Sequence, residues 1–163
     1  MAKIELKNVA HSYAPDVENP EYALKKCNLS WKDGGRYAVL GPSGCGKTTM
    51  LNIMSGLVTP SEGTIKFDGF DITHMSTAER NIAQVFQFPV IYNTMTVAQN
   101  LGFPLLCRNY PKEVINKKVD QVAQTLGLEN LLNLRATKLT ADQKQLISLG
   151  RGLVREDVAA ILM

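Results

Sequence analysis

Several things are scarce in this 163-residue sequence, and each scarcity excludes something. It has only three cysteines, Cys27, Cys45 and Cys107, far apart and without the paired spacing of a zinc site or a disulfide framework. A reducing, intracellular setting is therefore expected. Its apolar runs fall far short of the roughly 18–20 residues that span a bilayer, so no membrane insertion of its own is expected. The first ten residues alternate charged and apolar side chains and hold no signal-peptide core. Charge of one sign is also missing. The 18 basic and 15 acidic residues leave a net charge of +3, scattered rather than blocked, which is not a nucleic-acid footprint. What is there, 45% hydrophobic and 20% charged residues, excludes a disordered or collagen-like chain. The length suits one compact domain that buries roughly 70% of its unfolded surface.

Periodicity then orders the chain. Ile4 and Leu6 alternate with Lys3, Glu5 and Lys7, as in a half-buried strand. A loop through Ala14 to Pro20 leads to a second strand pattern, Tyr22 to Trp31, which ends at the turn signal Lys32-Asp33-Gly34-Gly35. Tyr37-Ala38-Val39-Leu40 reads as a central strand buried on both faces. A helix is predicted from Lys47 to about Gly56, stopped by Gly56 and Pro60. Thr64 to Phe67 alternates and closes on Asp68-Gly69, a hairpin signal. Ile82 to Phe86 is the next buried-strand candidate. Beyond Gln87 the character turns helical: Thr96 with Gln99 fits a capping box, and Ile115, Val119, Val122 and Leu126 recur at helical spacing before Gly127. A last helix is predicted over Ala141 to Val154 and a last strand over Val158 to Met163, where the chain stops as if cut within a fold.

Between the Tyr37 run and the first helix stands Gly41-Pro42-Ser43-Gly44-Cys45-Gly46-Lys47-Thr48, a glycine, four residues, then Gly-Lys-Thr. Strand before and helix after give this pattern its meaning. Glycines let successive backbone N–H groups turn toward phosphate oxygens, and the helix N-terminus adds its dipole and unpaired donors. Lys47 supplies a cation to the outer phosphates and Thr48 a hydroxyl to Mg²⁺. A phosphate loop by itself serves a kinase, a GTPase or a motor equally well.

The surrounding residues narrow the choice. Gly41 to Thr49, Ile53-Met54-Ser55-Gly56-Leu57, Pro60-Ser61-Glu62-Gly63, Val85-Phe86-Gln87, Thr96 to Leu101, Leu139 to Gln143 and Leu149 to Leu153 together resemble the ATP-binding subunit of ABC transporters. The likeness covers essentially the whole chain and is nearest the sugar and polyol importer branch; Asp142-Gln143-Lys144-Gln145 is similar to glycerol-importer ATPases. It implies an α/β fold: a P-loop (RecA-like) core with an antiparallel β portion and an inserted helical subdomain. The whole of 1–163 would be one incomplete domain, with core and β portion in 1–87 and 138–163 and helical subdomain in 88–137.

The resemblance also implies roles. Tyr13 would stack on adenine, although a loop tyrosine packed on the sheet is the plainer alternative. Gly41, Pro42, Ser43, Gly44, Cys45, Gly46, Lys47, Thr48 and Thr49 would cradle the ATP phosphates. Gln87 would reach Mg²⁺ or the attacking water, making Lys47 and Gln87 the catalytic pair and Thr48 and Gln87 the metal ligands; the alternative is a surface glutamine ending a strand. Leu139, Thr140, Ala141, Asp142 and Gln143 occupy the place of the family's Leu-Ser-Gly-Gly-Gln signature, which clasps the nucleotide held by the other subunit. Two glycines are replaced, and Asp142 brings negative charge where a phosphate would approach. Walker B ends at Met163 before its acids, so the 163-residue chain alone is expected not to hydrolyse ATP. His11 and His74 are expected to be ordinary surface residues. Implied partners are a second ATPase subunit, in a homo- or heterodimer, and transmembrane permease subunits docking on the Phe88–Arg108 region. The implied place is the cytoplasmic face of the membrane. A small-molecule P-loop kinase and a non-catalytic nucleotide-binding subunit remain open alternatives.

Overall fold

In the computed structural model, which describes residues 2–163, the alternation around Ile4 becomes strand β1 (Ile4–His11). Strict alternation does not last. Asn8 adopts φ 51° and the pairing register shifts there, so Leu6, Val9, Ala10 and His11 all face inward. An inserted residue does this because side-chain direction has period two and one extra residue resets it. The Asn8 backbone N–H donates to Asn28 Oδ1 at 2.8 Å, and Asn28 Nδ2 donates back to Asn8 Oδ1 at 3.1 Å. β1 pairs antiparallel with β2 (Leu24–Trp31) on one side and β3 (Glu62–Phe67) on the other. β4 (Phe70–Asp71) completes the order β2-β1-β3-β4. The predicted Asp-Gly turn joins β3 to β4, with Asp68 and Gly69 both at positive φ. Helix α1 (Lys47–Ser55) begins and ends where glycines stand, and buries Met50, Ile53 and Met54.

One expected strand is not there. Tyr37–Leu40 pairs with no strand and lies exposed, Leu40 to 90%. An apolar run becomes a strand only when a neighbouring strand takes its hydrogen bonds. Here Tyr37 is engaged locally instead: its hydroxyl accepts the Lys32 N–H at 2.8 Å and its ring stacks on Trp31 at 5.4 Å, over the Asp33-Gly34 turn. β1, β2, α1, β3, β4 and the first residue of β5 belong to one compact unit, residues up to 82 with Leu162; residues 83–161 with Met163 form the second.

The second unit is built on helices α2 (Val97–Leu106), α3 (Lys112–Leu126) and α4 (Ala141–Leu153). Their core is Val97, Leu101, Leu105, Val119, Val122 and Ile147, with their neighbours. α4 approaches α2 and α3 closely at Gly150, where a Cβ would sit 2.5 Å from Leu101 Cδ2. The capping box expected at α2 is present: the Thr96 hydroxyl accepts the Gln99 N–H and the Gln99 side chain accepts the Thr96 N–H. α3 ends at Gly127 with φ 67°. β5 (Ile82–Gln84) and β6 (Ala160–Leu162) pair as a two-stranded sheet, each shorter than its apolar run.

Asn100, fully buried in α2, holds the preceding loop. Its oxygen accepts the Tyr92 N–H at 2.8 Å, and its amide donates to the Tyr92 and Thr96 carbonyls at 3.0 Å. Asn100→Ala removes these bonds, and a longer one of 3.5 Å to the Met95 carbonyl, and strands buried backbone groups, so a loss of about 2–3 kcal/mol is expected. Urea unfolding checks this; a loss below about 1 kcal/mol would mean that the loop holds itself.

Candidate functional site

The glycine loop takes the form its residue types allow. Gly44 (φ 81°) and Gly46 (φ 92°) are left-handed, and a Cβ on Gly46 would lie 2.5 Å from the Ala23 carbonyl oxygen. Only glycine fits there. Cys45 N–H donates to Pro42 C=O at 3.4 Å, closing the turn. Lys47, the first residue of α1, folds back over it: Nζ donates to the Gly41 and Pro42 carbonyls at 2.8 Å each and lies 3.7 Å from Cys45 Sγ. Gly41, Pro42, Ser43, Gly44, Cys45 and Thr48 are exposed and Thr49 is buried.

The start of α1 is open to an anion. Met50 N–H bonds to Gly46 C=O at 2.8 Å, whereas the Gly46 cap offers no side chain to the first-turn donors and no acid stands in that turn. Uncapped N–H groups and the positive end of the helix dipole favour a phosphate. The other end of α1 is pinned by a residue that periodicity did not flag. Arg80, 3% exposed, donates to the carbonyls of Ile53 (2.6 Å), Met54 (3.1 Å), Thr73 (2.8 Å) and Met75 (3.0 Å). Burial holds its guanidinium below the ordinary arginine range.

Tyr13 belongs to this group in space as well as in sequence. It follows β1, is 67% exposed, and places its hydroxyl 3.5 Å from Thr49 Oγ1 in the first turn of α1. An open groove of about 500 Å³ runs beside it, walled by the 11–15 and 57–61 segments. His11 is not the surface residue expected: it is 8% exposed, because the bulge at Asn8 turns the end of β1 inward. His74 is exposed as expected.

The other candidates lie in the second unit. Gln87 is exposed, two residues after buried Val85. The chain on both sides of it is tied to α4, with Gln145 Nε2 donating to Phe86 C=O at 3.1 Å and Arg151 to Val90 C=O at 2.7 Å. The Arg151 guanidinium also lies 4.8 Å from the Tyr92 ring centroid. Phe88, Val90 and Leu106 are exposed apolar residues of the Phe88–Arg108 stretch.

At α4, Leu139 is buried, and Ala141 and Asp142 stand exposed in the first turn. Thr140 caps the helix: its hydroxyl accepts the Gln143 N–H at 3.3 Å, and Gln143 Oε1 accepts the Thr140 N–H at 3.0 Å. This capping box has the same Thr-x-x-Gln spacing as the one at 96–99, so the sequence carried the signal unread. Its effect is chemical. One first-turn donor of α4 is already taken, and Asp142 adds a carboxylate beside the others, whereas the start of α1 has neither.

Among the described residues, no group of three or more His, Cys, Asp or Glu side chains gathers to hold a metal. The Thr48 hydroxyl and the Gln87 amide are neutral oxygen donors. They suit Mg²⁺, which takes few protein ligands and completes its shell with water and substrate phosphate. Among the described residues, no helix is long and apolar enough to cross a membrane.

Comparison with known proteins follows the same line. The family model described as ABC transporter matches residues 24–162. The chain is 38% identical over 159 residues to the sn-glycerol-3-phosphate import ATP-binding protein UgpC 1 of Rhizobium etli, covering 98% of this chain and 44% of that protein. It is 39% identical over 162 residues to the trehalose import ATP-binding protein SugC of Mycobacterium tuberculosis, covering 99% of this chain and 40% of that one. The chain thus spans less than half the length of these relatives. Among solved structures it resembles the ATP-binding cassette MJ0796, a dimer in a post-hydrolysis state bound to ADP and Pi. The TM-score is 0.80 at 31% identity, over 93% of this chain and 69% of that one. The α/β fold implied by the resemblance is therefore the fold of ATP-binding cassettes, and the chain belongs to the ABC transporter family.

Proposed function

We propose that this chain is the ATP-binding part of the ATPase subunit of an ABC importer, and that its cargo is a carbohydrate or a polyol such as glycerol or its phosphate. One observation carries the nucleotide assignment: a loop with two left-handed glycines delivers Lys47 to the uncapped start of α1, with exposed Tyr13 hydroxyl-to-hydroxyl against Thr49. In this proposal residues 41–49 bind the phosphates through backbone N–H groups, Lys47 places positive charge on the outer two, and Tyr13 takes the base. Preorganised donors of this kind stabilise a transferring phosphoryl group because they need no rearrangement as charge moves. Thr48 and Gln87 would hold Mg²⁺, which neutralises phosphate charge when bound. The cargo class is supported by the relatives, one an importer protein for a phosphorylated polyol and one for a disaccharide. A second ATPase subunit and permease subunits at the cytoplasmic membrane face, the latter engaging the Phe88–Arg108 surface, complete the proposal.

Cys45 reports on the loop directly. It is exposed, with its sulfur against Lys47, so bound phosphates would cover it. At Mg-ATP ten times its Kd, alkylation of Cys45 is expected to slow about tenfold, the free fraction of a single site. Exposed Cys107, in the second unit, should react at an unchanged rate. Cys27 is half-buried and burial pushes its thiol up, so it should react slowly throughout. Equal Cys45 rates with and without Mg-ATP would refute the assignment.

Asp142 favours a second reading, a subunit whose signature helix contributes little to turnover. A carboxylate in the first turn of α4 stabilises that helix and opposes a phosphate by about 0.3–1 kcal/mol. Asp142→Gly in the assembled transporter is then expected to raise turnover about two- to fivefold at the site completed by this helix. Unchanged turnover would remove Asp142 from the account.

A further inference from the structure

His11 has no role in anything above, yet it is the buried imidazole nearest the exposed ring proposed to receive the base. Its Nδ1 lies 3.3 Å from Ser61 Oγ, and its ring stands perpendicular to Tyr13, centroids 4.6 Å apart, at 89°. Ser61 Oγ makes two further bonds, accepting the Ser12 N–H at 3.1 Å and donating to the Ser12 C=O at 3.2 Å. Ser61 Oγ thus ties the imidazole to the Ser12 backbone. Nε2 of the same ring is buried with no hydrogen-bond partner, so Ser61 is the hydrogen-bond contact that holds the tilt of the imidazole. The ring held in this way bounds the space open to Tyr13.

Tyr13 is then restrained at two points, with His11 against its ring and Thr49 at its hydroxyl. A side chain 67% exposed would otherwise sample several rotamers, and ordering it on binding costs affinity. We propose that His11, clamped by Ser61, is a positioning residue that holds the Tyr13 ring in the orientation that receives the nucleobase. The proposal rests on the assignment of Tyr13 to the base, and Ser61 links the His11 imidazole to the segment just before β3.

The test separates base binding from phosphate binding. Isothermal titration with ATP and with inorganic tripolyphosphate, each with Mg²⁺, is run on the wild-type chain and on His11→Ala, Ser61→Ala, Tyr13→Ala and the His11→Ala/Tyr13→Ala double variant. Losing the stacking ring should weaken ATP about tenfold or more and leave tripolyphosphate unchanged. His11→Ala and Ser61→Ala should each weaken ATP about three- to tenfold, again without effect on tripolyphosphate, since they remove only the preorganisation. With Tyr13 already gone, His11→Ala should do nothing further, as coupled residues behave. If His11→Ala and Ser61→Ala bind ATP normally, or weaken ATP and tripolyphosphate alike, while Tyr13→Ala still discriminates, His11 is only a packing residue and the proposal is overturned. If Tyr13→Ala fails to discriminate, the base assignment itself fails, and the proposal with it. Should His11→Ala not fold, Ser61→Ala decides, because it removes the clamp and keeps the imidazole.

Discussion

Lys47→Ala is expected to weaken ATP binding ten- to a hundredfold while leaving the chain folded. Every other donor in the 41–49 loop is neutral, and charge-assisted bonds contribute about 1.5–3 kcal/mol against roughly 1 for neutral ones. The ammonium has three donors. Two are held at 2.8 Å by the Gly41 and Pro42 carbonyls, and the third meets only the Cys45 sulfur at 3.7 Å, a weak acceptor. A phosphate oxygen is a far better partner for that third donor. Substitution therefore removes both the charge and the clasp that keeps the loop curled. The effect on stability should stay within about 1 kcal/mol, since Lys47 is only half-buried and alanine is a strong helix former. Fluorescent-nucleotide titration beside a urea melt separates the two effects. An unchanged affinity would remove the phosphate-loop assignment; equal losses of affinity and fold would reduce Lys47 to a structural role.

Arg80→Met should have the largest effect on stability, about 3 kcal/mol or more. Four carbonyls converge on one buried guanidinium, two of them from the last turn of α1, where a positive charge opposes the negative end of the helix dipole. Methionine fills a similar volume and leaves all four oxygens without that donor. Arg80→Lys should recover only part, because one ammonium cannot reach four acceptors spread around a planar fork. The midpoint of urea unfolding should fall with the slope unchanged. A loss below about 1 kcal/mol would show that water replaces the guanidinium at these carbonyls.

Arg80 also shows where the sequence was legible and where it was not. Glycine and capping signals act over a few residues, so α1, the β3–β4 turn, the Thr96 cap and the Gly127 stop could be located from residue type alone. The phosphate loop was legible for the same reason, its chemistry lying within eight consecutive residues. Arg80 looks like any charged residue before a strand, and nothing local says that Ile53, 27 residues away, supplies its acceptor. His11, expected at the surface because it stands in no motif, is buried because a single left-handed Asn8 shifts the register of β1. Tyr37–Leu40 failed for a different reason. Apolar character specifies burial, but a strand also needs a partner, and Tyr37 stacks on Trp31 instead.

The most direct test of the central claim is amide chemical-shift mapping of the ¹⁵N-labelled chain titrated with Mg-ATP. Saturable shifts are predicted for the backbone amides of Ser43 to Thr49 and for Tyr13, with one common Kd. The amides of α3 (Lys112–Leu126) should stay in place. Unmoved amides at Ser43 to Thr49 under saturating Mg-ATP, or shifts confined to other elements, would contradict it.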